Sequence, residues 1–229
     1  MRKTTEGKCY YCKKVFNKTA IKKHLDSCDE RKRLIEKTEK KNANGERCFC
    51  VSVEGFYIPA YWLYLDISSL ATFRDLDEFL RDIWLECCGH LSAFEIKGIR
   101  YSSSPDRLYG EKHMSVDLTK ILNVGIQFTY DYDFGTTTRL KLKVISECQR
   151  IKSDKKIELM ARNLPPEIKC SYCEENAKQV CVECESWLCN KCVETHECDE
   201  NMLLPVVNSP RVGQCGYTGS EEDRHQNGK

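Results

Sequence analysis

The sequence predicts an α+β protein, in which a central antiparallel sheet with one packed helix is flanked by two small cysteine-rich modules. Three observations carry this prediction. Apolar and polar residues alternate in several middle segments, as in strands with one buried face. Residues 72–88 instead place apolar residues at steps of three and four, which is typical of a helix. Most of the 16 cysteines among the 229 residues gather near the two ends of the chain.

Charge divides the chain in the same way. Residues 1–41 carry 14 basic and 6 acidic side chains, whereas residues 170–229 carry 5 basic and 11 acidic ones. A basic N-terminal region and an acidic C-terminal region indicate separate modules that contact different partners.

The first residues, MRKTTEGKCYY, lack the apolar core of a signal peptide. No window approaches the ~18 apolar residues of a membrane helix. We therefore expect a cytoplasmic protein with no membrane contact. In a reducing compartment, clustered cysteines favour metal sites over disulfides.

Residues 1–41 are predicted to form a basic zinc finger followed by a helix. The segment CYYCKKVFNKTAIKKHLDSC resembles a classical zinc finger, with a knuckle turn, an apolar residue and a short helix. The resemblance implies that one zinc is bound by Cys9, Cys12, His24 and Cys28. A basic helix that carries cysteines but no metal is the alternative.

This finger has a basic surface, and small basic fingers often contact phosphates. The candidate nucleic-acid contacts are Lys13, Lys14, Lys18, Lys22 and Lys23. A lone finger is also often a protein-binding module, and the mixed charges of residues 30–41 are typical of a solvated helix. The sequence leaves both possibilities open.

The central domain, residues 47–152, is predicted to follow a linker at 41–46. Residues 56–67 favour a strand, with an edge or bulge at Pro59. The helix at 72–88 begins with a capping pair, Thr72 and Asp75. Residues 90–102 favour another strand.

A β-hairpin is expected over residues 125–147. Its apolar side is formed by Ile126, Phe128, Tyr130 and Tyr132, and Gly135 lies in the turn. The order of these elements, with HLSAFEI and YDYDFG as its most specific segments, resembles the plasmid pRiA4b ORF-3-like family over residues 48–150. Some members are labelled insertion-element passenger proteins of TnpR type. The resemblance implies the α+β fold and a mobile-element setting rather than a reaction.

Some polar residues of this domain could belong to a site. Cys87, Cys88 and His90 could bind metal or pair as nucleophile and base, but Cys87 falls on the buried helix face, which favours core packing. Asp131 and Asp133 are expected to be exposed carboxylates on the solvent-facing side of the sheet.

Residues 166–207 are predicted to be a second zinc module. Cysteines and one histidine form four closely spaced pairs, enough for two closed tetrahedral sites. The segment has too few apolar residues to offset the entropy of ordering it, so metal must contribute to its stability. Spacing alone leaves open whether neighbouring or alternate pairs share a metal.

The spacings in this module resemble those of the B-box class of cross-braced zinc domains. The resemblance implies one zinc on Cys170, Cys173, Cys189 and Cys192. It implies a second zinc on Cys181, Cys184, His196 and Cys198. Sites closed by four protein ligands are structural rather than catalytic.

After this module, Leu203–Val207 is expected to be a short strand that packs on the zinc module or the sheet. Residues 208–229 are expected to be a polar tail. Cys215 could be a spare metal ligand, but a loop cysteine is the preferred interpretation.

These features predict a non-enzymatic interaction protein with three zinc ions. Nucleic acid is the expected partner of the finger, and a protein is the possible partner of the C-terminal module. The alternatives are a protein–protein adaptor without nucleic-acid binding and an enzyme with Cys88, His90, Asp131 or Asp133 in its site. The sequence indicates no oligomeric state.

Overall fold

The computed structural model describes residues 5–39, 45–151 and 154–220. It confirms the α+β fold class: a large, mostly antiparallel sheet is accompanied by few helices. Among the described residues, no helix has both the length and the apolar character needed to cross a membrane.

Ten strands form the large sheet: β1 (Glu6–Cys9), β2 (Val15–Asn17), β3 (Gly45–Gly55), β4 (Trp62–Ser68), β5 (Ser92–Ile96), β6 (Ile99–Ser102), β7 (Lys112–His113), β8 (Gln127–Tyr132), β9 (Thr138–Ile151) and β10 (Ile157–Asn163). Their spatial order is β2-β1-β10-β4-β3-β9-β8-β5-β6-β7. All neighbours are antiparallel except β6 and β7.

A smaller sheet lies in the C-terminal region and consists of β11 (Gln179–Cys181), β12 (Trp187–Leu188) and β13 (Leu203–Pro205). The α-helices are α1 (Lys18–Ser27), α2 (Asp29–Glu39), α3 (Phe73–Leu80) and α4 (Asn190–Val193). Short 3-10 turns span Arg107–Tyr109, Leu118–Lys120 and Glu200–Met202.

Helix α3 covers one face of the large sheet. The expected capping pair is confirmed, because Thr72 and Asp75 form a complete capping box at its start. Phe73, Leu76 and Leu80 are buried in the main core. The helix continues as a single π-helical turn, Arg81–Leu85, and so ends earlier than residue 88.

The predicted hairpin is confirmed as β8 and β9. Phe128, Tyr130 and Tyr132 point into the core beneath α3, and the residues between them are less buried. The strand expected over 90–102 is instead a hairpin, β5–β6. It turns at Lys97 and Gly98, which both have positive φ.

The first central strands also differ from expectation. Strand β4 begins only at Trp62, because Pro59 lies in the turn after β3. The predicted linker lies partly outside the described residues, and β3 begins at Gly45. A disulfide that the sequence does not indicate joins Cys48 to Cys148, which face each other on β3 and β9.

The N-terminal finger is part of the large sheet. Strand β1 pairs with β10, and β2 pairs with β1, so the finger hairpin forms one edge of the sheet. On the face opposite α3, the α1 residues Ile21 and Leu25 pack with Trp62 and Met160 in a second core.

The C-terminal strand and the residues after it are packed. Strand β13 pairs with β11, as expected for a strand docked on the zinc module. Residues 208–220 differ from the polar tail that the sequence suggests, because Ser209, Arg211 and Tyr217 are buried. Residues 221–229 lie outside the described part of the chain.

Candidate metal centres

The N-terminal metal candidates lie on a tight turn between β1 and β2. Cys9 ends β1 and Cys12 lies in the turn, followed by Lys13 with a φ of 62°. The backbone N–H of Cys9 donates to the carbonyl of Lys14 at 2.9 Å. This turn directs both sulfurs to the same side, as one edge of a tetrahedral site requires.

Helix α1 supplies His24, and Cys28 directly follows the last residue of this helix. Its start is capped by Asn17, whose side chain accepts from the N–H of Ala20. Phe16 stacks on the His24 ring at 3.9 Å between centroids. The structure thus brings together the finger cluster, which consists of Cys9, Cys12, His24 and Cys28.

The distances in the finger cluster suit a metal ion. His24 Nε2 is 3.3 Å from Cys12 Sγ, and the sulfurs of Cys9 and Cys28 are 4.0 Å apart. Burial raises the pKa of Cys9 to about 11, and burial followed by the nearby Lys14 charge lowers the pKa of His24. A divalent cation can offset the cost of ionising the buried thiol.

The C-terminal module contains two clusters with cross-braced grouping. The first C-terminal cluster consists of Cys170, Cys173, Cys189 and Cys192. The second C-terminal cluster consists of Cys181, Cys184, His196 and Cys198. Within each cluster the potential ligand atoms all lie within 4.8 Å of one another.

Individual contacts agree with tetrahedral sites. Cys173 Sγ is 3.6 Å from Cys189 Sγ and 3.8 Å from Cys192 Sγ. In the second C-terminal cluster, Cys184 Sγ is 3.6 Å from His196 Nε2. A tetrahedral zinc with bonds of ~2.3 Å to sulfur holds two sulfurs about 3.8 Å apart.

The same turn presents the first cysteine pair of all three clusters. The N–H of Cys170 donates to the carbonyl of Glu175, and that of Cys181 donates to the carbonyl of Ser186. Both bonds span five residues, as the bond from Cys9 to Lys14 does. Glu185, directly after the second pair, has a positive φ like Lys13. The repeated turn explains why C-x-x-C spacing recurs.

Hydrogen bonds prepare two of these thiols for ionisation. A backbone hydrogen bond at Tyr172 is the main cause that lowers the pKa of Cys170 to about 6. Side-chain and backbone hydrogen bonds from Ser186 lower the pKa of Cys184 to about 7. Thiolates are the form that binds zinc, so these bonds favour metal binding at Cys170 and Cys184. In the same cluster as Cys170, a hydrogen bond with Cys170 raises the pKa of Cys192 to about 12.

A fourth group of potential ligands comes together outside the two predicted modules. It consists of Cys87, Cys88, His90 and Cys215, and we call it the 87–215 cluster. Cys87 is half-buried against the core, as expected, but its sulfur lies 3.5 Å from that of Cys88. Cys215 is a member of this group rather than an isolated loop cysteine. In the sequence, only the close spacing of Cys87, Cys88 and His90 indicates a metal site here, because Cys215 is far away along the chain.

Four of the five candidate nucleic-acid contacts are exposed: Lys13, Lys14, Lys22 and Lys23. The ammonium of Lys18 instead bonds Glu54 at 2.6 Å and the carbonyl of Pro59 at 2.8 Å. Lys18 lines a cleft of about 160 Å³ together with Lys141 and Lys143 of β9. These two β9 lysines, far away in sequence, add positive charge beside the finger.

The two acidic residues of the hairpin have separate surroundings. Asp131 forms a bidentate ion pair with Arg139, with both N–O distances 2.7 Å. Asp133 is not an exposed carboxylate, as the sequence suggests, because it is only 5% exposed and pairs with Arg211. Asp133 has a φ of 64°, so the backbone leaves the strand direction directly after β8, and its side chain meets Arg211.

Comparisons with known proteins add one distant similarity. No protein-family model and no curated protein matches the chain. One solved structure that resembles it is MM3350, a protein of unknown function from Methanosarcina mazei Go1. The identity is 17%, the match covers 52% of this chain and 70% of that one, and the TM-score is 0.45. At this similarity the comparison assigns no family and no activity to this chain.

Proposed function

We propose that the protein is a non-enzymatic zinc-binding interaction protein that contacts nucleic acid through its N-terminal finger. Zinc is the metal that best fits clusters of four thiols, or of three thiols and one imidazole, at the distances described above. Each of the three predicted clusters has four protein ligands, so a bound zinc has no open position for water. The zinc ions then have a structural role.

The observation that carries the nucleic-acid proposal is the arrangement of lysines around the finger. Lys22 follows Lys18 by one helical turn, on the flank of α1 that adjoins the cleft containing Lys141 and Lys143. Lys13 and Lys14 are exposed on the knuckle turn. A groove bordered by lysines from two elements can follow a phosphate backbone.

The five lysines are not equally suited to contact phosphate. Because Lys18 is already bonded to Glu54 and Pro59, it shapes the cleft more than it binds phosphate. Lys22 and Lys23 are exposed and carry the proposal best. The mobile-element setting rests on the family resemblance of residues 48–150 alone.

A salt titration tests this function. Binding of fluorescently labelled duplex and single-stranded DNA is measured by anisotropy from low to physiological salt. For the wild type we expect a steep loss of affinity with salt. Lys22→Ala/Lys23→Ala should weaken binding to all sequences and reduce the salt slope by about 2.

The matched control is Lys112→Ala/Lys120→Ala, which removes two exposed lysines of the central domain. Strand β7, which contains Lys112, is at the opposite edge of the sheet from the finger. The control should bind DNA as the wild type does. Absence of wild-type binding at low salt would overturn the nucleic-acid proposal.

A protein–protein adaptor is the second candidate, and the C-terminal module favours it. Tyr172, Val182 and Met202 are exposed apolar residues of this module. The same module contains eight acidic residues between positions 174 and 200. Exposed apolar side chains in an acidic module suit a basic protein partner. This candidate predicts that DNA binding is absent even at low salt.

A further inference from the structure

We propose that the 87–215 cluster is a fourth metal site, which takes zinc or a similar thiophilic divalent cation and fastens the C-terminal segment to the central domain. The site is additional to the three zinc ions expected from the sequence. It does not depend on whether the finger contacts nucleic acid.

The distances between the potential ligand atoms carry the proposal. Cys88 Sγ is 3.5 Å from Cys87 Sγ and 3.7 Å from Cys215 Sγ. His90 Nε2 is 2.9 Å from Cys88 Sγ and 3.1 Å from Cys215 Sγ. A tetrahedral zinc separates two sulfurs by about 3.8 Å and a sulfur from a nitrogen by about 3.5 Å. The spacing resembles that of the finger cluster, where the Cys12–His24 distance is 3.3 Å.

The central domain holds its three ligands on a braced turn. After the π-helical turn, the Glu86 carboxylate accepts from the N–H of Gly89 at 2.6 Å and from the hydroxyl of Tyr132 at 3.0 Å. Arg81 donates to the carbonyl of His90 at 2.7 Å. These bonds, all within the central domain, hold the turn that carries Cys87, Cys88 and His90.

The C-terminal segment is anchored independently on the same surface. The hydroxyl of Ser209 donates to the carbonyl of Trp84 at 2.5 Å. Arg211 is fully buried and donates to Asp133 at 2.8 Å, and Gln214 accepts from the hydroxyl of Thr138 at 2.8 Å. Cys215 therefore reaches the turn because the residues just before it are bonded to Trp84, Asp133 and Thr138.

Charge supports a cation at this position. Three thiolates around a divalent cation have a net negative charge. The Arg211 guanidinium lies 3.5 Å from Cys87 Sγ and can offset that charge as an outer-shell partner. Such partners stabilise metal-bound thiolates and tune the affinity of the site.

The geometry disfavours a catalytic cysteine–histidine pair. Two thiols approach the same imidazole nitrogen, His90 Nε2, and the Asp133 carboxylate is also nearest to that nitrogen, at 3.5 Å. A catalytic triad needs the acid on the other ring nitrogen, where it orients the base. Convergence of several ligands on one nitrogen instead indicates a shared cation.

A metal here joins parts of the chain that are far apart. His90 and Cys215 are separated by 125 residues. A cross-link that closes so long a loop removes considerable entropy from the unfolded chain. The fourth site would thereby limit the motion of the C-terminal zinc module relative to the sheet.

The direct test uses the full wild-type chain loaded with cadmium-113. In a correlation spectrum between cadmium and protons, we expect one resonance coupled to the β-protons of Cys87, Cys88 and Cys215. A spectrum in which no cadmium couples to Cys215 overturns the proposal. Because the wild type is used, a folding defect cannot obscure the result.

Zinc counting by native mass spectrometry is the second test. We expect four zinc ions on the wild type and one fewer on Cys88→Ser/Cys215→Ser. The control is Cys50→Ala, which removes a buried cysteine that belongs to none of the four clusters and should leave the count unchanged. Equal counts in the wild type and the double variant would contradict a fourth site. A further disulfide in the wild type, detected from its mass without reductant in addition to Cys48–Cys148, would also contradict the proposal.

Discussion

The guanidinium of Arg211 lies 2.8 Å from the carboxylate of Asp133, and both side chains are almost fully buried. Arg211 also donates to the hydroxyl of Thr138 at 3.0 Å and to the carbonyl of Thr136 at 3.1 Å. This pair joins the C-terminal segment to the turn between β8 and β9. A segment with the composition of a tail is thus part of the folded domain.

Arg211→Ala should be strongly destabilising. It leaves the Asp133 charge buried without its main partner, which typically costs about 3–5 kcal/mol. Chemical denaturation followed by tryptophan fluorescence measures the loss. The control is Arg139→Ala, which removes a more exposed ion pair with Asp131 and should cost ~1 kcal/mol or less. Similar losses in the two variants would contradict a structural role for the buried pair.

Removal of metal should affect the two ends unequally. The C-terminal module has a small apolar core, so chelation with EDTA should abolish amide protection across residues 170–198. The finger should keep part of its protection, because β1 still pairs with β10 and Ile21 still packs on Trp62. Strands β4 and β9 should remain protected.

Hydrogen exchange with mass spectrometry measures these differences, and readdition of zinc is the control for reversibility. If both ends remain as protected without metal as with it, zinc does not stabilise them.

The cross-braced grouping can be tested with one substitution. Cys189→Ser should weaken cadmium couplings to Cys170, Cys173 and Cys192, because these residues share its cluster. Couplings to Cys181 and Cys184 should persist. Cadmium-113 NMR measures both sets. A sequential pairing predicts instead that the couplings of Cys170 and Cys173 survive, and the control Cys50→Ala should leave every coupling intact.

Gly7→Ala should destabilise the contact between the finger and the sheet. A Cβ atom at Gly7 would overlap the ring of Trp62 and approach the carbonyl of Arg162 to 2.6 Å. Overpacking of this kind typically costs about 1–3 kcal/mol. Thermal unfolding measures the loss, and Gly135→Ala is the control, because its nearest neighbour is at an ordinary 3.4 Å. An unchanged melting temperature in Gly7→Ala would show that the finger edge can move away freely.

Local patterns predicted much of the fold. The alternation of Phe128, Tyr130 and Tyr132 predicted β8, because side chains two residues apart share one face of a strand. Thr72 and Asp75 predicted the start of α3, because their spacing allows reciprocal capping bonds. Gly98 is also a local indication of the turn at Lys97–Gly98, because glycine readily adopts positive φ. The prediction of one strand over residues 90–102 does not take this glycine into account.

Sequence patterns predicted the secondary-structure elements and the closely spaced cysteine pairs, whose members are near one another along the chain. C-x-x-C spacing and helical periodicity are sufficient there, because a short turn fixes the relative positions of its own residues. Three contacts came to light in the folded chain alone: β1 pairs with β10, Arg211 buries Asp133, and Cys215 lies beside His90. Such contacts depend on how whole elements pack, and no local spacing encodes the relative position of residues that are 78 or more positions apart.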